Sequence, residues 1–171
     1  MYPDSRRSII VFALIALFSG LAMAQTPPLK SISYQLSMSR PNSHLFEVQI
    51  IVELPEQLKD KPVQFQMAKW SPGRYAVFDF AKNVQEFRAV AANGATRPVA
   101  RVDDQTWSVA PQDSTTLTVS YKVFGNDLSG TFSQLDTRHA NYNGHSVFMY
   151  IVGHKADPVK LEIDPPTGWR I

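Results

Sequence analysis

Apolar and polar residues alternate along most of the chain after residue 30. A period of two is typical of β-strands, because successive side chains of a strand point to opposite faces. The turn signal Arg40-Pro41-Asn42-Ser43 separates the first two runs and predicts a hairpin. The alternating or apolar runs lie at residues 32–38, 46–54, 63–67, 107–109, 117–123, 147–152 and 159–163.

Helical patterning is weak in comparison. No stretch keeps a long 3.6-residue apolar period with capping residues, although residues 75–84 could hold a helical turn. Prolines are spread through the connections between the runs, where a missing backbone N–H is tolerated. We therefore predict an all-β fold, either an antiparallel β-sandwich or a saddle-like sheet.

The first two dozen residues have the pattern of a secretory signal peptide. Arg6 and Arg7 precede an apolar run at residues 9–18, and the small-residue site Ala-Met-Ala follows at residues 22–24. This run is shorter than the ~20 apolar residues that a membrane-spanning helix needs. We expect cleavage before Gln25, with no membrane attachment afterwards, and a periplasmic or secreted location.

Composition narrows the class of protein further. The expected mature chain, residues 25–171, is long enough for one β-rich domain with a substantial core. It has no cysteine, so an exported chain must rely on its core instead of disulfides. The formal net charge is +2 and no run of Lys or Arg creates a basic face, which argues against nucleic acid as a partner.

Motifs for the common catalytic chemistries are missing from the sequence. There is no His-Glu-x-x-His, the pattern that lets two histidines hold zinc while the glutamate activates its water. There is also no cysteine, no Gly-x-Ser-x-Gly elbow and no glycine-rich nucleotide loop. We predict that this chain contains no catalytic residue, no metal ligand and no cofactor site of its own.

One cluster leaves an alternative open. His139 and His145 lie six residues apart with Asp136 nearby, so a site of two histidines and one carboxylate is conceivable. Histidines at such a spacing are more often surface or hydrogen-bonded residues, and that is the interpretation we favour.

The segment Trp70-Ser71-Pro72-Gly73-Arg74-Tyr75 is rich in aromatic and turn residues. Pro72 and Gly73 favour a tight turn, because proline sets φ at one position and glycine permits a positive φ at the next. Arg74 could project from the turn to pair with a carboxylate or stack on Trp70. The residues alone favour a structural corner over a binding surface.

A polar loop precedes the apolar run at residue 147. Loops held by rigid strands often carry binding residues. The alternative is that Asn143-Gly144 makes a tight turn while Asp136 and Arg138 satisfy backbone groups of the loop. The polar residues of this loop are Asp136, Arg138, His139, Asn141, Asn143 and His145.

Taken in order, these segments resemble the N-terminal domain of the glycyl aminopeptidases, metallopeptidase family 61, which are secreted peptidases that commonly carry a PDZ domain. The resemblance covers nearly all of the expected mature chain, from about residue 32 to residue 171. Its landmarks are the segments at residues 70–75, 80–85, 136–150 and 158–171. The structural motif residues among them are Trp70, Pro72, Gly73, Tyr75, Asn83 and Gly144.

The resemblance implies a β-rich domain that packs against a thermolysin-like zinc domain. The zinc and the catalytic residues would belong to that domain, which would begin just after residue 171, so we expect the sequence to be cut short. Partners would be the catalytic domain of the same polypeptide and a peptide substrate at the shared cleft. Asp136, His139 and Asn143 would face this cleft, with Asp136 near the free amine of the substrate.

Two functions follow from these observations. The first is a non-catalytic accessory domain that docks on the catalytic domain of a secreted zinc aminopeptidase, and it predicts an exposed apolar face. The second is a stand-alone periplasmic β-sandwich that binds a peptide or glycan through the Trp70 corner and the loop at residues 135–146. It predicts a surface covered with polar residues.

Overall fold

A computed structural model describes residues 26–71 and 73–171. The predicted signal peptide and Pro72 of the turn motif lie outside these described residues. Within them, no helix has the length and apolar character needed to cross a membrane.

Strands dominate the described part of the chain, as the alternating pattern predicts. Three short 3-10 helices cover Pro41–Ser43, Glu56–Leu58 and Phe80–Asn83, and the one α-helical turn, α1, covers Gly144–Val147 of this part. The strands are β1 Ser31–Ser37, β2 Leu45–Glu53, β3 Val63–Gln66, β4 Val84–Ala91, β5 Val99–Arg101, β6 Thr106–Val109, β7 Thr116–Phe124, β8 Gln134–Leu135, β9 Ala140–Asn141, β10 Tyr150–Ile151 and β11 Lys160–Asp164.

The larger sheet has the strand order β11-β1-β2-β7-β4. Its neighbours are antiparallel except for β1 and β11, which run parallel. The hairpin predicted from the first two runs is present, because β1 pairs with β2 in a register that places Ile32 opposite Val52. A smaller sheet has the order β10-β3-β6-β5, and β8 pairs with β9.

The core lies where the two sheets meet. Alternate residues of β1, β2 and β7 are buried, and they join buried residues of β3 and β6 in one hydrophobic cluster. Phe65 and Trp107 of the smaller sheet are members of this cluster, together with Ile50 and Val119 of the larger one. The predicted all-β, sandwich-like class is therefore confirmed.

Strand β4 contains a bulge that the alternating pattern did not indicate. Gln85 pairs with Lys122 and Arg88 with Ser120, so two residues of β4 oppose one residue of β7. Glu86 takes a φ of 52°, and the extra residue turns Phe87 inward to stack on Trp107 with ring centroids 5.3 Å apart. A bulge of this kind inverts the alternation within one strand, which explains why no strand was predicted here.

The run at residues 147–152 also differs from its prediction as a strand. The α1 turn ends at Val147, and β10 contains only Tyr150 and Ile151. The main chain of Val147 and Met149 bonds instead to a tyrosine side chain of the larger sheet. The Tyr121 hydroxyl donates to the Val147 carbonyl at 3.0 Å and accepts from the Met149 N–H at 2.9 Å. These side-chain contacts replace the strand-to-strand hydrogen bonds that an extended run would make.

Candidate functional site

The Trp70 segment forms a small hairpin that is closed by Trp70 and Val77 and is described at residues 70–71 and 73–77. Trp70 and Val77 form an antiparallel bridge, and the Phe78 N–H donates to the carbonyl of Lys69 at 2.6 Å. The positive φ expected at Gly73 is present, at 87°, and Tyr75 also has a positive φ of 50°. The backbone is therefore left-handed at two positions, and the part of the prediction that rests on Gly73 agrees with the structure.

This hairpin carries exposed apolar side chains. The exposed fraction is 49% for Trp70, 89% for Tyr75 and 71% for Val77. Residues that bridge in an antiparallel pair have their side chains on one face, so Trp70 and Val77 lie side by side. We call Trp70, Tyr75 and Val77 the hairpin patch.

Arg74 joins the hairpin to the segment before the polar loop, through a threonine hydroxyl and not through a carboxylate. Its Nε donates to Oγ1 of Thr131 at 2.7 Å, and Thr131 is buried. The Thr131 carbonyl in turn lies 3.1 Å from Nε2 of His145 on α1. Two segments far apart in the sequence are thereby joined into one layer.

Aromatic rings reinforce the same junction from beneath. The Phe132 ring lies 5.5 Å from the Phe78 ring and 5.4 Å from the Phe80 ring, centroid to centroid, in edge-on geometries that aromatic pairs prefer. Phe80 also lies 5.1 Å from the ring of His145. The residues that follow the hairpin are therefore packed against the segment around Phe132.

The other two motif residues lie close to these aromatic rings. Asn83 ends the 3-10 helix Phe80–Asn83 and lines a cavity of about 190 Å³ with Ser133 and Ser146. Gly144 begins α1, and a side chain there would meet Phe148 at an ordinary contact distance of 3.7 Å. Asn143-Gly144 thus starts a helical turn.

Asp136 closes a turn in the polar loop. Its Oδ1 accepts hydrogen bonds from the backbone N–H of Arg138 at 2.7 Å and of His139 at 3.0 Å. These bonds to the ionised form hold the pKa of Asp136 below its usual value. Its Oδ2 lies 3.9 Å from the Arg138 guanidinium, the internal partner that this loop offers.

His139 and Asn143 sit in different environments. His139 lies 3.2 Å from Asp136 through Nδ1 and 3.1 Å from Oε1 of Gln134 through Nε2. Asn143 Nδ2 donates to the carbonyl of Phe132 at 3.0 Å. The structure therefore brings Asp136 and His139 into direct contact, while the Asn143 side chain is hydrogen-bonded to the main chain of Phe132.

His139 also lines a groove of about 380 Å³ on this side of the domain. The polar loop supplies one part of the groove, and Met38, Ile163 of β11 and the segment after β11 supply the rest. Its lining includes Arg138, His139, Tyr142, Ile163 and Trp169.

All four histidines are engaged in contacts within the fold. His44 Nδ1 lies 2.5 Å from the Leu135 carbonyl, and His154 Nδ1 lies 2.9 Å from Oδ2 of Asp157. No group of three or more His, Asp or Glu residues in ranges 26–71 and 73–171 is arranged to hold a metal ion. The conceivable site of two histidines and one carboxylate is not assembled there.

Sequence reasoning missed several residues that hold this region together. Ser133 Oγ lies 2.7 Å from Ser146 Oγ, and both residues are buried. Ser133 Oγ also accepts from the Asn143 N–H at 3.1 Å. Isolated serines carry no sequence signal of this role, since the contacts join residues that are brought together by folding.

Parts of two larger proteins of known structure match this chain. A solved structure of an aminopeptidase N family protein from Idiomarina loihiensis matches with a TM-score of 0.70 and 26% sequence identity, over 80% of this chain and 22% of that chain. A zinc metallopeptidase of the M1 class from Deinococcus radiodurans matches with a TM-score of 0.42 and 12% identity, over 81% of this chain and 32% of that one. No curated protein sequence matches at a significant level.

The chain thus spans about a fifth of the length of the Idiomarina protein. The sequence model of the family described as Peptidase M61 N-terminal domain matches residues 33–171. This confirms the resemblance that the ordered segments indicated. The chain belongs to the Peptidase M61 N-terminal domain family.

Proposed function

We propose that this chain is the non-catalytic accessory domain of an exported zinc-dependent aminopeptidase, and that it docks on the catalytic domain and shapes one wall of the substrate cleft. The observation that carries the proposal is the family match over residues 33–171. The Idiomarina protein, described as an aminopeptidase N family protein, adds support because this chain covers only 22% of it. The remainder of such a polypeptide would supply the catalysis.

In this proposal the zinc ligands come from the catalytic domain. The histidines of this domain are occupied elsewhere, since each has a hydrogen-bond partner within the fold. The zinc would activate the attacking water, while this domain would position the peptide. We further propose that the domain acts in the periplasm or outside the cell, as the N-terminal pattern predicts.

The first test is to read the coding sequence downstream of the Ile171 codon. An in-frame continuation that contains His-Glu-x-x-His supports the proposal. The encoded polypeptide should then hydrolyse aminoacyl p-nitroanilides and lose this activity on treatment with a zinc chelator. A stop codon with no such frame beyond it would overturn the proposal.

Asp136 is our candidate for contact with the free amine of the substrate. Its Oδ1 already accepts two backbone hydrogen bonds, so Oδ2 is the oxygen that a protonated amine would approach. The lowered pKa keeps the carboxylate ionised at neutral pH. A charged partner would favour a protonated N-terminus by direct pairing.

Asp136→Asn in the complete enzyme separates charge from structure, because the amide oxygen still accepts the two backbone N–H bonds. We expect KM for a free-amine peptide to rise about five- to tenfold with little change in kcat, the loss typical of one ionic contact. Asp60→Asn, which removes an exposed carboxylate outside the polar loop and the groove, serves as the charge-matched control. An unchanged KM in Asp136→Asn would remove this residue from the substrate site.

The alternative, a stand-alone module that binds peptide or glycan, predicts a surface covered with polar side chains. Trp70, Tyr75 and Val77 are all exposed on one hairpin. Trp70 and Val77 lie side by side across the bridge. Neighbouring exposed apolar side chains are typical of a partner surface, which favours the accessory-domain proposal.

A further inference from the structure

Tyr75 occupies an unusual backbone position for its side chain. It has a φ of 50°, in the left-handed region that bulky residues rarely adopt, yet its side chain is 89% exposed. Packing within the domain therefore does not explain the choice of tyrosine, since glycine would fit this backbone with less strain. Strain of this kind concentrates at functional positions.

The hairpin patch is also held rigid from behind. Arg74 Nε bonds to the buried Thr131, and Phe78 packs edge-on against Phe132. A side chain presented on a rigid base loses less conformational entropy when a partner covers it. The hairpin therefore combines an exposed apolar face with a pre-organised backbone.

The composition of the patch suits a protein partner. Tryptophan and tyrosine are the residues most enriched at the centres of protein interfaces, where polar residues form the rim. Lys69, directly before the patch, forms an ion pair with Asp104 and supplies such a polar border. Two exposed aromatic side chains and a valine thus have the arrangement of a small interface centre.

The area of the patch indicates which partner it fits. The three side chains expose roughly 400 Å² together, judged from their exposed fractions and the usual area of large side chains. A complex between separate proteins typically buries about 800 Å² on each partner. Contacts between domains of one chain are smaller, because the linker keeps the two surfaces at a high effective concentration.

We infer that the hairpin patch, Trp70, Tyr75 and Val77, is the surface through which this domain contacts the catalytic part of its own polypeptide. The inference rests on the proposed function, and it adds the location and the anchoring residues of the contact. The family relationship supports this partner, since the similar Idiomarina chain is more than four times as long as the part that this chain covers.

Hydrogen exchange tests the inference directly. Amides of residues 73–77 are measured in the 171-residue chain and in the full polypeptide encoded by the continued reading frame. We expect at least tenfold slower exchange in the full polypeptide, because the catalytic part would exclude water from the hairpin. Equal exchange in the two proteins, with full aminopeptidase activity, would overturn this inference and leave the proposed function intact.

Two variants distinguish docking from a structural role. Tyr75→Gly relieves the left-handed strain, so the 171-residue chain should be at least as stable as the parent chain, while the full polypeptide should lose most of its added protection. Val77→Ser should also reduce the protection, whereas Val102→Ser, at a valine 54% exposed outside the patch, should not.

Each remaining outcome is decisive as well. Equal losses for Val77→Ser and Val102→Ser would contradict the assignment of the contact to the hairpin. Destabilisation of the short chain by Tyr75→Gly would show that the tyrosine serves the fold of this domain, which also contradicts the inference. A reading frame that ends without a zinc motif would overturn the inference and the proposed function together.

Discussion

The Tyr121 hydroxyl joins the larger sheet to the main chain at the end of α1 and just after it. The side chain is buried, and its oxygen donates to the Val147 carbonyl at 3.0 Å and accepts from the Met149 N–H at 2.9 Å. Tyr121→Phe keeps the ring and removes this oxygen alone. We expect the variant to fold to the same structure with a lower free energy of unfolding.

The expected loss follows from the two groups that the substitution leaves behind. One buried carbonyl and one buried N–H would lack their partner, and each costs about 1–3 kcal/mol. The free energy of unfolding should therefore fall by about 2–6 kcal/mol. For a chain of this size such a loss lowers Tm by roughly 4–24 °C.

Urea unfolding of the 171-residue chain, followed by tryptophan fluorescence to which the buried Trp107 contributes, measures this loss. Tyr142→Phe is the matched control. The Tyr142 ring packs edge-on against Phe46 and Phe148, and its hydroxyl makes no hydrogen bond within the part of the chain that the structure describes. The control should change stability by less than about 0.5 kcal/mol. A similarly small change for Tyr121→Phe would refute the reasoning.

Two further predictions concern the same fold. Gly125→Ala would place a Cβ 2.7 Å from the Phe46 ring, so we expect a loss of about 1–3 kcal/mol in urea unfolding. Gly130→Ala meets no atom within 4 Å and should be nearly neutral, and equal effects of the two variants would contradict this account. Burial raises the pKa of Tyr34 to about 12. Because the unfolded chain releases this proton more readily, stability should be complete below a pH of about 10 and should fall as the pH rises towards 12. A series of urea midpoints between pH 8 and pH 12 measures the fall, and Tyr34→Phe should make it shallower; an unchanged slope would count against the assignment.

The strands of the larger sheet were predictable because their pattern is local. β1, β2 and β7 alternate buried and exposed residues over seven to nine positions, which is long enough for the period to be read from the sequence. β4 escaped prediction because its bulge at Glu86 shifts the pattern by one residue in mid-strand. The two-residue strands β8 and β9 are too short to carry any period.

In the candidate site, too, local features were predictable from the sequence and contacts between distant residues were not. The turn at Gly73 was predicted, since glycine is the residue that a positive φ favours. The partner of Arg74 was not, because Thr131 lies 57 positions away and only folding brings the two side chains within 2.7 Å. The exposed state of Trp70 and Tyr75 also differs from what paired aromatics around a turn usually indicate, which is packing inside a corner.

The sequence alone determined the fold class, the tight turn and the family, because each of these depends on the order and spacing of residues along the chain. The tertiary structure decided which polar residues serve the fold and which side chains remain free for a partner. It engaged every histidine in an internal hydrogen bond and left the hairpin patch exposed. The physical reason is that hydrogen-bond partners and burial are properties of residues that meet only when the sheets pack together, so no local pattern encodes them.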